Sequence, residues 1–356
     1  MTTHKTARRW RREPGARLAG SRPLDSGKLQ APCAVHVPAG GFRLYYTAVG
    51  PARPFSACQG YILSAISDDG LIFRTEPGIR LAPQPELPHC SLRVLAPSVT
   101  QYGADTWRLY FESRGRADRP TVICSAVSAD MLHWELEDGI RWQSPGGMGG
   151  PRFLRLPRGR GRLYCHSTEY GPGGRVSGEP LAQGVVSAIT NDGLYFDSEP
   201  GYRFQSGESV QDSAGITAAQ VMRPEANEGR WTMLYSAWQD APPGAEVPRH
   251  PSSDPNAVEN GLSRDFAAAS IAADMAGYRS RIYEAHSSDG LAWEPGECVI
   301  DGDGYGAGGL DAVHAEDMSV IKIGDAAYRM YYAACDSHGV WRIVSATTVG
   351  EDTHIG

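Results

Sequence analysis

The chain has 356 residues, 41% hydrophobic and 21% charged, which is enough apolar material for a sizeable core and too balanced a mixture for disorder. A net charge of −7 excludes the clustered positive excess that a phosphate backbone demands, so nucleic acid is not an expected partner. The 42 Gly and 25 Pro punctuate the chain too often for a helical protein and point to short strands joined by turns.

The seven Cys (33, 58, 90, 124, 165, 298, 335) are odd in number and contain no Cys-x-x-Cys pair, so neither a disulfide framework nor a thiolate zinc site is indicated. Arg8, Arg9, Arg11 and Arg12 are followed by no apolar stretch, and no run approaches the length of a membrane span. The expectation is a soluble cytoplasmic protein with no membrane partner. Lysine occurs only at positions 5, 28 and 322, against 31 Arg, and no function is read from that imbalance.

In chain order one phrase keeps returning. It first reads Gly41-Phe-Arg-Leu-Tyr-Tyr-Thr47, then Ile62-Leu-Ser-Ala-Ile-Ser-Asp-Asp-Gly70-Leu-Ile-Phe73, then Glu76-Pro-Gly-Ile-Arg-Leu81. The second copy starts at Thr106-Trp-Arg-Leu-Tyr-Phe-Glu112 and the third at Gly161-Arg-Leu-Tyr-Cys-His-Ser167. The fourth starts at Arg230-Trp-Thr-Met-Leu-Tyr-Ser236 and the fifth at Tyr328-Arg-Met-Tyr-Tyr-Ala333. Equivalent residues Ser64, Ser125, Ser187, Glu284 and Ser345 are 61, 62, 97 and 61 positions apart, so one period holds except for about 36 residues inserted in the fourth copy.

Each copy alternates apolar and polar residues over short runs, with an Asp-Gly turn in three of them, the pattern of a four-stranded antiparallel sheet. Five such sheets around an axis predict an all-β, five-bladed β-propeller. The blades fall at about 29–81, 94–142, 149–204, 216–300 with an insertion at 241–278, and 316–348. The last lacks an outer strand, and Trp10-Arg-Arg-Glu13-Pro-Gly-Ala-Arg-Leu18 matches Phe73–Leu81 in pattern, so residues 10–18 are expected to close that blade. Residues 1–356 then make one domain.

Residues that recur from copy to copy are read as parts of the fold. Asp69, Asp192 and Asp289 form turns, Trp10, Phe73, Trp134, Phe196 and Trp293 pack between blades, and Glu13, Glu76, Glu137 and Glu199 make a strand or turn hydrogen bond. Polar residues that do not recur, at the mouth where inner strands begin, are the functional candidates. Glu316, Asp317, Glu112 and His166 are the expected catalytic groups. Arg93, Arg114, Glu169, Trp238, Asp240, Asp311, His314, Asp336 and His338 are the expected substrate contacts. The insertion carries an Ala-rich stretch from Phe266 to Ala276, expected as a short helix in a lid.

The second-strand phrase and the Ser-x-Asp-Gly-Leu-x-Trp/Phe hairpin resemble those of the five-bladed propeller glycoside hydrolases, the group of arabinanases, xylosidases, fructosidases and mannoside phosphorylases. The resemblance implies axial carboxylates at positions that here hold Ala31, Ala96 and Gly150. Only Asp317, in Asp-Met-Ser-Val, occupies such a place, so the usual catalytic carboxylate positions are not retained. Three functions stay open. The first is a glycosidase-like enzyme whose carboxylates act as acid and base on a small sugar-like or glycosylated metabolite. The second is a propeller repurposed for lyase, isomerase or cyclase chemistry in biosynthesis, with His, Arg and carboxylates as the working groups. The third is a sugar-binding propeller in which Trp238, Tyr170 and Tyr305 stack on a ring. No cofactor is expected, apart from a variant that puts an axial divalent metal on His166, His314 and a carboxylate.

Overall fold

The apolar runs become strands and the Asp-Gly pairs become the hairpins between them. The computed structural model describes residues 8–49, 59–115, 119–167, 184–206, 210–213, 215–224, 229–241, 243–245, 278–304 and 307–349. Two short strands, β1 (Trp10–Arg12) and β2 (Leu18–Ala19), precede the first repeat, which holds β3 (Lys28–His36), β4 (Phe42–Val49), β5 (Gly60–Ser67) and β6 (Arg74–Thr75). The second repeat holds β7 (Arg93–Gln101), β8 (Trp107–Arg114), β9 (Val122–Ser128) and β10 (Glu135–Leu136). The third holds β11 (Met148–Arg155), β12 (Gly161–Ser167), β13 (Gly184–Thr190), β14 (Asp197–Ser198) and β15 (Phe204–Gln205). The fourth holds β16 (Gly215–Met222), β17 (Trp231–Asp240), β18 (Tyr278–Ser287) and β19 (Glu294–Ile300), and the fifth β20 (His314–Lys322), β21 (Tyr328–Cys335) and β22 (Trp341–Thr348).

Within each repeat consecutive strands pair antiparallel, as in β3 with β4 and β4 with β5. β1 pairs antiparallel with β22, Trp10 opposite Thr348, and β2 pairs farther along the same strand. No helix among the described residues is long and apolar enough to cross a membrane.

Recurring polar residues staple each sheet internally. Arg43 grips Glu76 through Nε and Nη2 at 2.9 and 2.8 Å, and Ser64 Oγ donates to the same carboxylate at 2.7 Å. The trio recurs as Arg108, Glu137 and Ser125, as Arg162, Glu199 and Ser187, and as Arg329, Glu13 and Ser345. In the last case the carboxylate comes from the N-terminal segment, which ties that segment to the fifth repeat. The hairpin aspartates behave as turn-formers: Asp69 accepts from the amides of Leu71 and Ile72, and these bonds hold its carboxyl down at about 2.

The core lies between neighbouring sheets. One buried cluster joins Tyr45 and Ile62 to Val94 and Leu109, the next joins Tyr110 to Leu163, and another joins Tyr164 to Ile216 and Met233. A fourth joins Leu234 and Ile282 to Met330, and the fifth joins Ile321 and Tyr331 of the last repeat to Leu29 and Leu44 of the first. The recurring aromatics sit at these seams, Phe73 edge-on to Tyr331 at 5.6 Å and Trp134 edge-on to Tyr45 at 5.8 Å. Tyrosine hydroxyls cross the same seams to hairpin carbonyls, Tyr45 to Met131 at 2.6 Å and Tyr331 to Gly70 at 2.7 Å, each bond contributing about 1 kcal/mol.

Candidate active site

Each inner strand is broken once, at the same place. Ala31, Ala96, Gly150, Ala218 and Asp317 all adopt left-handed backbone, with φ of 48°, 50°, 57°, 41° and 54°, and the pairing register slips at each. These are bulges, which aim one residue's amide out of the ladder and leave it needing an acceptor. The acceptor comes from the preceding repeat, always four residues after the position held by Arg43, Arg108, Arg162 and Thr232 in the second-strand phrase. Thr47 Oγ1 takes the Ala96 amide at 2.8 Å, Glu112 Oε2 takes Gly150 at 3.1 Å, His166 Nδ1 takes Ala218 at 3.4 Å, and Ser236 Oγ takes Asp317 at 2.9 Å. The fifth repeat has Ala333 at this position, and the Ala31 amide bonds the carboxylate of Asp317 instead.

Glu112 and His166 therefore hold the fold together at positions where a hydroxyl suffices elsewhere. Their chemistry exceeds that task. They flank Gly149, where a Cβ would stand 2.5 Å from both Glu112 Oε2 and His166 Nε2, so the two atoms lie no farther apart than the sum of those distances. Only glycine leaves room for this approach. Burial pushes the Glu112 carboxyl up to about 7, with the nearby Asp317 adding to the rise while the Gly150 amide, Arg114 and Arg93 oppose it. Burial also raises Asp317, against Lys28, Arg152 and the Ala31 amide, and drops the His166 imidazole to about 3. Near neutral pH the imidazole is neutral and the Glu112 carboxyl divides between acid and carboxylate.

Beneath these groups Arg152 donates through Nη1 to Pro97 O at 2.8 Å and through Nη2 to Pro32 O and Met318 O at 3.1 and 3.2 Å. One guanidinium from the third repeat thus ties together the inner strands of the first, second and fifth. Ala31, Leu95 and Ala96 form a small apolar wall beside it.

Glu316 lies in a second, fully buried group. Ser280 Oγ is 3.0 Å from both Glu316 Oε2 and His314 Nδ1, and Lys28 Nζ sits 3.9 Å from Glu316 Oε1. The His314 ring stacks on Trp341 at 5.3 Å and tilts against Trp238 at 5.1 Å, while Lys28 Nζ stands 3.7 Å above Trp341. Trp238 Nε1 donates to Thr217 Oγ1 at 3.0 Å. Arg93 and Arg114 face each other across β7 and β8, both buried and both within electrostatic range of Glu112, and Arg114 bonds Thr121.

Four further candidates are drawn elsewhere. Asp311 accepts from Arg12 and from the Tyr332 hydroxyl, each at 2.8 Å, which anchors β1 to the fifth repeat. Asp336 is a turn-former, accepting from Arg342 at 2.6 Å and from the amides of His338 and Val340, and His338 itself is exposed. Asp240 is exposed at the end of β17. Glu169, Tyr170, Tyr305 and almost all of the expected lid, including Phe266–Ala276, lie outside the described residues. Among the described residues no three His, Cys, Asp or Glu side chains gather as a metal group, and His314, clamped by two tryptophans, does not share a set with His166.

Lys28, Ser280, Trp341, Arg152 and Gly149 were not singled out from the sequence. Lys28 had a signal. It precedes the left-handed Ala31 by three residues, as Arg93 precedes Ala96 and His314 precedes Asp317, so aligning the bulges puts three bases at one position.

No protein-family model matches the chain, and no curated protein matches it in sequence. Solved structures match over nearly its whole length. A glycoside hydrolase superposes with a TM-score of 0.67 at 14% identity, covering 96% of this chain and 93% of its own. The fold is that of the glycoside-hydrolase propellers. A β-1,2-mannobiose phosphorylase from Listeria innocua superposes with a TM-score of 0.63 at 13% identity, covering 94% of both chains. An N-acetylgalactosamine deacetylase from F. plautii does so with a TM-score of 0.62 at 16% identity over 95% of both. Proteins of this fold therefore carry out more than one reaction, and the fold alone does not select among them.

Proposed function

We propose that the chain is a single-domain, five-bladed propeller closed by its N-terminal strand, and that it is a cytoplasmic glycosidase-like enzyme acting on a small sugar-like or glycosylated metabolite. Closure is supported by the five core seams, which run from each repeat to the next and from the fifth to the first. A reducing compartment fits the six cysteines among the described residues, all free.

The observation that carries the activity is the buried Glu112 carboxyl, held at about 7 within electrostatic range of a second, half-buried carboxylate, Asp317. Glycoside cleavage needs one carboxyl still protonated at working pH, to give its proton to the leaving oxygen. It also needs one carboxylate to take a proton from the attacking water. Glu112 fits the first role and Asp317 the second, with Arg93, Arg114 and Trp238 as substrate contacts. An aryl-glycoside panel tests this. Glu112→Gln keeps an acceptor for the Gly150 amide, so it should cut kcat by about a hundredfold or more without unfolding the chain. Wild-type turnover left intact by both Glu112→Gln and Asp317→Asn would refute the assignment.

A second reading rests on His166. A neutral imidazole beside a protonatable carboxyl suits proton abstraction followed by reprotonation, the core of an isomerase or lyase. In that case His166→Gln abolishes turnover of a non-glycosidic metabolite and aryl glycosides are inert.

A further inference from the structure

The fourth repeat breaks the internal staple described above. Across β17 and β18, Leu234 faces Glu284 and Thr232 faces His286, in the register that pairs Tyr45 with Ser64 and Arg43 with Ile66 in the first repeat. Glu284 therefore stands where the other repeats have Ser64, Ser125, Ser187 and Ser345, and Thr232 stands where they have the arginine that grips the carboxylate. A carboxylate is present and its guanidinium is gone. Gly296 makes the room: a Cβ there would come within 2.8 Å of Glu284 Cγ.

Glu284 is 2% exposed, and its Oε1 has no hydrogen-bond partner among the described residues. His286 Nε2 lies 3.3 Å away without an aligned hydrogen bond. The side chain lines a cavity of about 550 Å³ between the outer strand of the fourth repeat and β1 of the fifth. Glu297 joins it in that lining. Arg8, Arg9 and Arg11 line the opposite side, with Arg9 and Arg11 exposed. The volume suits a small metabolite.

We propose that this cavity is a second ligand site, separate from the axial one, and that it takes a basic amino acid. The ligand's guanidinium or ammonium group occupies the place of the missing arginine on Glu284, and its carboxylate meets the arginines of β1 and the residues just before it. A buried carboxylate oxygen lacking a donor is costly, and a forked guanidinium meets it with paired, charge-assisted hydrogen bonds.

Calorimetric titration of the full chain with L-arginine, agmatine and L-citrulline tests the proposal. L-Arginine should bind saturably, agmatine, which lacks the carboxylate, about tenfold more weakly, and L-citrulline, which lacks the charge, not at all. Glu284→Ser restores the residue of the other four repeats, and Glu284→Gln keeps the shape without the charge. Each should weaken L-arginine by at least about tenfold while leaving the melting curve cooperative. Absence of saturable heat with both L-arginine and agmatine, or equal binding by the Glu284 variants, overturns the site. Agmatine binding as tightly as L-arginine overturns the role of the arginine rim.

Discussion

Glu112 and His166 make opposite demands on pH, and Glu112→Gln separates them. Glu112 moves from 4.5 to about 7 on folding, so the native state holds a proton that the unfolded chain has released. Its contribution is fully favourable below pH 4.5 and is lost as pH rises through 7, a swing of about 3 kcal/mol at 1.36 kcal/mol per pH unit. His166 moves from 6.5 to about 3, so the unfolded chain holds a proton that the native state refuses. Its contribution is present above pH 6.5 and is lost on acidification, a swing of about 5 kcal/mol. Between pH 4.5 and 6.5 the two slopes are equal and opposite, and the pair adds almost nothing to the pH dependence of the wild type. Glu112→Gln leaves the histidine slope uncompensated. Relative to wild type, the variant should lose about 3 kcal/mol from pH 6.5 to 4.5, and the difference between the two should level off as pH passes 7. His166→Gln should show the reverse trend across the same window. Urea unfolding followed by tryptophan fluorescence, at steps from pH 4.5 to 7, reads both differences. Stability curves of wild type and Glu112→Gln that run parallel over this range would refute the burial argument for the pair.

Other substitutions probe the frame around the site. Arg152→Met leaves three inner-strand carbonyls without their donor and should cost about 3 kcal/mol in urea unfolding, with the strand content in circular dichroism unchanged. Glu13→Ala and Glu76→Ala remove equivalent, partly exposed staples and should cost about 2 kcal/mol each; a neutral Glu13→Ala would separate the N-terminal segment from the fifth repeat. Arg158 is exposed with φ of 63°, so Arg158→Gly should stabilise by about 0.5 kcal/mol, after subtracting glycine's greater freedom in the unfolded chain.

The repeat and its strand order were legible because spacing and alternation are local properties. The recurrence of Glu76, Asp69 and Phe73 was enough to assign them to staple, turn and seam. The exceptions were legible only as exceptions. Glu112 and His166 stood out where Thr47 and Ser236 are the norm, yet the bond each makes to the next repeat's amide spans 38 and 52 residues and leaves no local trace. Proximity along the chain misled in the stretch Asp311–Asp317. Asp311 belongs to Arg12, Glu316 to Ser280 and Lys28, and Asp317 to the Ala31 amide, because neighbouring strand residues point to opposite faces and a bulge redirects them again. Lys28 stands out only when the inner strands are aligned at their bulges, where it shares a position with Arg93 and His314.

The bulge amides turn the inner strands into a set of sockets. Four take a plug from the neighbouring sheet, and any side chain with a suitably placed lone pair will serve, as threonine, glutamate, histidine and serine do here. The fifth, with Ala333 opposite, shows that a socket can be filled from another quarter when its own plug is missing. Reactive groups can therefore be exchanged one at a time at Thr47 or Ser236 without dismantling the fold. Thr47→Glu or Ser236→His would place a new acid or base beside the inner strands in a single step.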